Sequence, residues 1–253
     1  MDGDVGVLRV GVLTPHAAPG PEVELPAMAP GRVTAVVSRI RPAGAAGSWT
    51  PPTSAAGLRA LADPSIVDRA AAPFRAGAVD VVAFASTTSG YALGHRGEAD
   101  LVEGLRRSCG VPAVGSGPAA VAALRACGSR RVALVHPPWF DGEVDELGAR
   151  YFRDQGFAVA LHKADGLPDD PARVRPGPVA DWVARHVGDE ADAVFLAGNG
   201  FRAAAAIEEL ERRTGRPVLT ANQVLLWSIL AATGTRWDVT GYGRLLRGGR
   251  TEG

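Results

Sequence analysis

The chain nearly does without lysine and cysteine: Lys163 is its single lysine, and Cys109 and Cys127 are its two cysteines in 253 residues. With no CxxC and no Cys/His ligand spacing, two cysteines build neither a disulfide framework nor a thiolate metal site, and a reducing cytoplasm is the expected compartment. One lysine confines any Schiff-base chemistry to Lys163. It stands in His162-Lys163-Ala164-Asp165 after an expected strand and reads as a solvated loop residue. Net charge is missing as well, because 27 Lys+Arg balance 27 Asp+Glu. Phosphate-backbone binding then has no electrostatic drive, and nucleic acid is not an expected partner. No apolar run approaches the ~20 residues that span a bilayer, so no membrane partner is expected. The acidic start Met1-Asp2-Gly3-Asp4 is unlike a secretory leader. The five histidines are dispersed without an i, i+4 pair, so no metal is expected. P-loop, GxSxG, HExxH and EF-hand patterns are absent.

What is present is a rhythm of short β-branched runs alternating with Ala/Leu/Arg segments, the mark of βαβ units and parallel sheets. Strands are expected at Val7–Leu13, Val33–Ile40, Val79–Ala85, Pro112–Gly115, Arg131–His136, Phe157–His162, Ala193–Ala197 and Pro217–Thr220. Apolar residues at helical spacing mark Ser54–Ala76, Glu98–Cys109, Ala119–Cys127, Glu143–Gln155, Val179–Val187, Arg202–Arg213 and Gln223–Ala232. Gly128, Gly156 and Gly215 fall where helices end, since glycine takes a left-handed cap without a Cβ clash. Five prolines between Pro15 and Pro30 predict an ordered loop or short turns there, and Arg41–Pro52 is a second Gly/Pro/Ala-rich connection. The segments Val79–Gly90 and Ala191–Gly200 repeat one pattern: an Asp-led apolar strand running into small polar residues. Two similar parallel-sheet halves would set strand ends opposite each other, with a ligand cleft between them.

Gly115-Ser116-Gly117-Pro118-Ala119-Ala120 and Gly198-Asn199-Gly200-Phe201-Arg202-Ala203 both fit G-x-G-x-x-A. Neither is followed about 20 residues on by the acidic residue that would hold a ribose, so dinucleotide binding is not expected. Ser86-Thr87-Thr88-Ser89-Gly90 is the sharper signal. Hydroxyls and amides at a strand end and helix start favour negative charge, and four hydroxyls exceed what one N-cap needs. A carboxylate is the expected ligand.

These residues carry a resemblance. The chain resembles the aspartate/glutamate racemase superfamily, in the branch of maleate cis–trans isomerase and arylmalonate decarboxylase. The likeness rests on Gly11-Val12-Leu13-Thr14-Pro15 with Glu22-Val23-Glu24-Leu25, Val81–Gly90, Ala119–Arg125 and Arg131–Val135. It continues through Phe195–Arg202, Asn222-Gln223 with Trp227, and Gly241-Tyr242-Gly243-Arg244-Leu245. It implies two pseudo-symmetric Rossmann-like α/β domains, each around a four-stranded parallel sheet. The first would be residues 1–116 plus 219–253 and the second 117–218. It also implies cofactor-independent chemistry on a small carboxylic acid between the domains, with a cysteine from each beside the α-carbon, and a homo-oligomer.

Both thiol positions depart from that pattern: the first falls at Ser86 and the second at Gly198, while Cys109 and Cys127 sit at expected helix ends. A family tyrosine that contacts the substrate carboxylate is matched by Trp139. Without thiols, two-base racemisation and thiolate addition lose their agents. Decarboxylation demands less: a desolvated carboxylate, donors aimed at the developing enediolate, and a proton, for which His16 and His136 stand at expected strand ends. Ser86, His136, His16 and Asn199 are the candidate catalytic residues. Thr87, Thr88, Ser89, Trp139, Gly198 and Gly200 are the candidate substrate contacts. The expected activity is a lyase, decarboxylase-like, acting on a di- or ketocarboxylic acid. A maleate-type isomerase or racemase with a non-cysteine acid/base and a catalytically inactive carboxylate binder stay open beside it.

Overall fold

A computed structural model describes residues 6–45, 52–75 and 77–247. Residues 46–51 of the Arg41–Pro52 connection, Ala76 and both chain ends lie outside the described residues. Eight strands form two four-stranded parallel sheets. The first has the order β2-β1-β3-β4, from β1 (Leu8–Thr14), β2 (Val33–Arg39), β3 (Val81–Phe84) and β4 (Ala113–Gly115). The second has the order β6-β5-β7-β8, from β5 (Arg131–His136), β6 (Ala158–Lys163), β7 (Ala193–Leu196) and β8 (Val218–Thr220). Every expected strand is present, with no end shifted by more than two residues. The inner strands are continuous apolar runs because helices cover both faces: every residue of β3 and β7 is fully buried. The two orders are identical, so the halves are pseudo-symmetric. Each sheet reverses winding direction between its first and third strands, and that point is where a ligand crevice opens.

The Asp-led repeat has a structural origin at the opposite edge of the sheets. Asp80 accepts the Arg9 amide at 2.7 Å, and Asp192 accepts the Arg131 amide at 3.0 Å. Each aspartate thus pins the start of the neighbouring central strand.

The helices are α1 (Pro21–Met28), α2 (Ala55–Leu61), α3 (Pro64–Ala71), α4 (Thr87–Cys109), α5 (Ser116–Ala126), α6 (Gly142–Arg153), α7 (Pro176–His186), α8 (Ile207–Thr214) and α9 (Ala221–Ala232). Four depart from the sequence pattern, among them α8, which begins at Ile207 rather than Arg202 behind a 3-10 turn over Ala204–Ala206. The proline-rich stretch forms α1 rather than turns, because Pro21 sits at the first helical position, where a missing N–H costs nothing. Ser54–Ala76 is split, since Asp63 before Pro64 is pushed to extended backbone and caps α3 instead of continuing α2. Helix α4 begins at Thr87, not Glu98, and passes a break at Gly94, whose φ of 71° few other residues adopt. Among the described residues no helix is long and apolar enough to cross a membrane. No group of three or more His, Cys, Asp or Glu among them is placed to hold a metal ion.

Candidate active site

The C-terminal strand ends of the two sheets enclose a cavity of about 260 Å³. His16, after β1, and Thr88, at the start of α4 after β3, face Trp139 and Phe140, after β5, and Gly200, after β7, with Leu58 and Val144 closing the apolar side. Trp139 is held edge-on against Phe201 at 5.7 Å. A Cβ on Gly200 would sit 3.9 Å from the His16 ring and 4.0 Å from Trp139, so this turn approaches the opposite half at van der Waals distance.

The four hydroxyl residues do different work. Ser86 is the N-cap of α4: its Oγ accepts the Ser89 amide at 3.3 Å and donates to Ser89 Oγ at 2.9 Å. Ser86, Thr87 and Ser89 are essentially fully buried and turned away from the cavity, and Thr87 Oγ1 has no partner. Thr88 alone of the four lines the cavity. It lies in the first turn of α4, where an amide has no helical acceptor and the helix dipole is positive.

His16 borders the cavity beside the Arg39–Glu22 ion pair. Burial, followed by the Arg39 charge, pushes its pKa down to about 4, so the imidazole is neutral at neutral pH. Its Nε2 is shielded and has no hydrogen-bond partner. His136 is fully buried behind the cavity wall, with Nδ1 3.0 Å from Asp145 Oδ1 and its ring 5.3 Å from that of Phe140. Burial lowers its pKa, and the Asp145 hydrogen bond opposes the shift. Lys163 is not a solvated loop residue: it ends β6, half-buried, with Nζ donating to the Phe140 carbonyl and 3.8 Å from Asp145. His136, Asp145 and Lys163 therefore clamp the segment that presents Trp139 and Phe140.

Asn199 is a cross-linking hub. Its Oδ1 accepts the Thr87 amide at 3.1 Å, and its Nδ2 donates to Ser116 Oγ at 3.1 Å and to Asn222 Oδ1 at 2.9 Å. Asn222 donates in turn to Glu24 at 2.7 Å. This chain ties the two sheets' strand ends together and uses both amide protons of Asn199. Gly198 has φ of +91°, and a Cβ there would lie 3.1 Å from Pro137.

Residues 54–246 match the family model of arylmalonate decarboxylase. The chain belongs to this family. It is 29% identical over 186 residues to the arylmalonate decarboxylase of Bordetella bronchiseptica, covering 72% of this chain and 76% of that one. It is 31% identical over 194 residues to a maleate isomerase of Pseudomonas putida, covering 72% and 75%. Among solved structures it resembles the maleate isomerase Iso of Pseudomonas putida, with a TM-score of 0.83, 28% identity, and 96% and 100% of the two chains covered. A cysteine-to-serine variant of Nocardia farcinica maleate cis–trans isomerase, which holds a covalently bound succinylcysteine intermediate, aligns with a TM-score of 0.78 at 27% identity, over 96% and 99% of the chains. With these relatives the family member described here is an enzyme of the lyase and isomerase kind. Its own cysteines are remote from the cavity. Cys109 is buried in the first half's core, and burial pushes Cys127, at the end of α5, up to about 11.

Sequence reasoning missed three acids: Glu24, Asp145 and Glu98. Glu98 accepts the Gly117 amide at 3.1 Å and the Tyr151 hydroxyl at 2.9 Å, fully buried where α4, α5 and α6 meet. A Cβ on Gly90 or Gly117 would overlap its carboxylate, and one on Gly115 would come within 2.9 Å. The first glycine fingerprint thus makes room for a protein carboxyl instead of a pyrophosphate. Three glycines that converge on one helix were the available signal, but they lie 27 positions apart in sequence and converge only after folding.

Burial raises Glu98 from 4.5 to about 7. Between those values the folded protein holds a proton that the unfolded chain has released. The stability this contributes is full below pH 4.5 and is lost as pH rises through 7, roughly 3 kcal/mol in all. Glu98→Gln removes that dependence. In urea unfolding at a series of pH values, the variant should gain on the wild type by about that amount between pH 4.5 and 7.5. His16 and Glu24 titrate alike in both proteins and drop out of the difference. A gap that does not move with pH refutes the assignment.

Proposed function

We propose that the protein is a decarboxylase acting on a malonate-type diacid that carries an apolar or aryl substituent. The observation that supports this most is the cavity's composition: the Thr88 hydroxyl at a helix start, apolar walls from Trp139, Phe140, Leu58 and Val144, and no thiol, with Thr53, Asp169 and the α6 cap Asp141 also on the lining. The Thr88 hydroxyl and amide, with the Gly200 backbone opposite, receive one carboxylate. The second carboxylate lies against the apolar wall, where desolvation favours its loss. The bond from the α-carbon to that carboxyl carbon breaks and carbon dioxide departs. The electron pair passes into the retained carboxylate as an enediolate, stabilised by the same donors. A proton then adds at the α-carbon. Of the two candidate histidines only His16 borders the cavity. Its ring is neutral, so it orients a water whose proton goes to the α-carbon, the hydroxide left combining with the departing carbon dioxide as bicarbonate, while His136 positions the Trp139–Phe140 wall.

Isomerisation by covalent addition would need a nucleophile at Ser86, whose hydroxyl is committed to the α4 cap. Incubation in heavy water with phenylmalonate and, separately, with maleate tests the reading by NMR. Carbon dioxide release with one α-deuterium in the arylacetate product is expected, and no fumarate from maleate. Fumarate without decarboxylation would establish the isomerase instead. Tight thermal stabilisation by a diacid that is never consumed would establish a binder.

A further inference from the structure

The turn that carries Gly198 and Gly200 has a second side. Beyond it lies another cavity of about 280 Å³, lined by Arg202, Arg175, Glu24, Tyr242 and the first-turn residue Pro176 of α7. The acceptors on its wall are already used. Glu24 Oε1 takes the Ala204 amide at 2.8 Å and Oε2 takes Asn222 at 2.7 Å, while the Tyr242 carbonyl takes Gln223 at 2.7 Å. The Tyr242 hydroxyl is itself spent on the Ala27 carbonyl at 3.1 Å.

The donors are not used. Arg202 makes no hydrogen bond among the described residues, though its charge acts on the Glu24 carboxyl against the upward push of burial, and its Nε is buried without an acceptor, a state that costs about 1–3 kcal/mol in an isolated protein. Arg175 is anchored through Nη1 alone, to the carbonyls of Ala172 at 2.8 Å and Val174 at 3.0 Å. That anchoring orients its guanidinium and leaves the remaining N–H groups without acceptors among the described residues. One anchored guanidinium and one without a hydrogen-bond partner, with filled acceptors around them, select a ligand made of acceptor oxygens.

We infer that this cavity is a second anion site, taking one small carboxylate or phosphate between Arg202 and Arg175. It is separate from the cleft, because Gly200 faces the cleft and Arg202 the opposite side of the same turn. An anion held there braces the Gly198–Phe201 turn and, through Glu24 and Asn222, the Asn199 hub.

Calorimetric titration of the full chain at low ionic strength, with inorganic phosphate and with succinate, tests the site. Saturable binding of at least one anion is expected. Its Kd should rise about tenfold in Arg202→Gln and in Arg175→Gln, as for loss of one charge-assisted contact, and stay unchanged in Thr88→Val. The arginine-dependent arm names the ligand: phosphate alone marks a phosphoryl group, succinate alone a carboxylate, and both a general small anion. Arg175 is exposed, so its variant folds even where Arg202→Gln does not, and circular dichroism checks both. Absence of saturable binding overturns the inference. So does binding that weakens in Thr88→Val and not in the arginine variants, which places the anion in the cleft.

Discussion

Thr88→Val should lower kcat/KM for decarboxylation by about 10²-fold while leaving the fold and melting temperature in place, the usual size of the loss when one oxyanion donor is removed. The substitution keeps the β-branched shape and deletes only the hydroxyl that faces the cavity. Its neighbour supplies the contrast. Thr87 Oγ1 is buried without a partner, so Thr87→Val removes an unsatisfied group and should stabilise the protein by roughly 1 kcal/mol with turnover unchanged. Steady-state kinetics with phenylmalonate and urea unfolding of both variants check the pair. Equal losses of activity in the two would mean that the loop binds substrate in some other orientation.

Gly117→Ala should abolish the native fold or cost more than about 4 kcal/mol, well above the ordinary range for a single substitution. The added methyl would overlap both the Glu98 carboxylate and the Tyr151 hydroxyl. Neither group can retreat: both are buried, and each is the other's hydrogen-bond partner at 2.9 Å. Displacing Glu98 also strands an ionisable group in the core. Gly104→Ala, on the far part of α4 with open space at its Cβ, should instead be neutral or slightly stabilising, because alanine is the better helix former. Chemical denaturation of the two variants measures the difference, and a stable, wild-type-like Gly117→Ala protein would disprove the packing described.

The Glu98 pocket also shows where sequence and structure part. Alternating apolar runs were sufficient to place all eight strands, because a strand covered on both faces must be apolar throughout and little else produces that pattern. The Asp-led repeat announced two like halves, and both were found. Pro21 and Pro64 misled or divided helical segments, since proline acts through the backbone of its neighbours rather than through periodicity.

The site itself was only partly legible. The run Ser86–Ser89 pointed to a strand end and a helix start, and both are there. Which hydroxyl faces the cavity depends on the 100° step of a helix beginning at Thr87, so Thr88 and Thr87 look alike in sequence and opposite in space. Asn199 was a candidate catalytic residue in the sequence, but the fold brings Ser116, Thr87 and Asn222 around it, from 83, 112 and 23 positions away, and spends its amide on them. The sequence by itself determined the parallel α/β architecture and the absence of a thiol at Ser86 and Gly198, because periodicity and residue identity are local properties. Only the tertiary structure decided which side chains converge. The cleft and the buried Glu98 are each assembled from segments that meet through long-range packing alone.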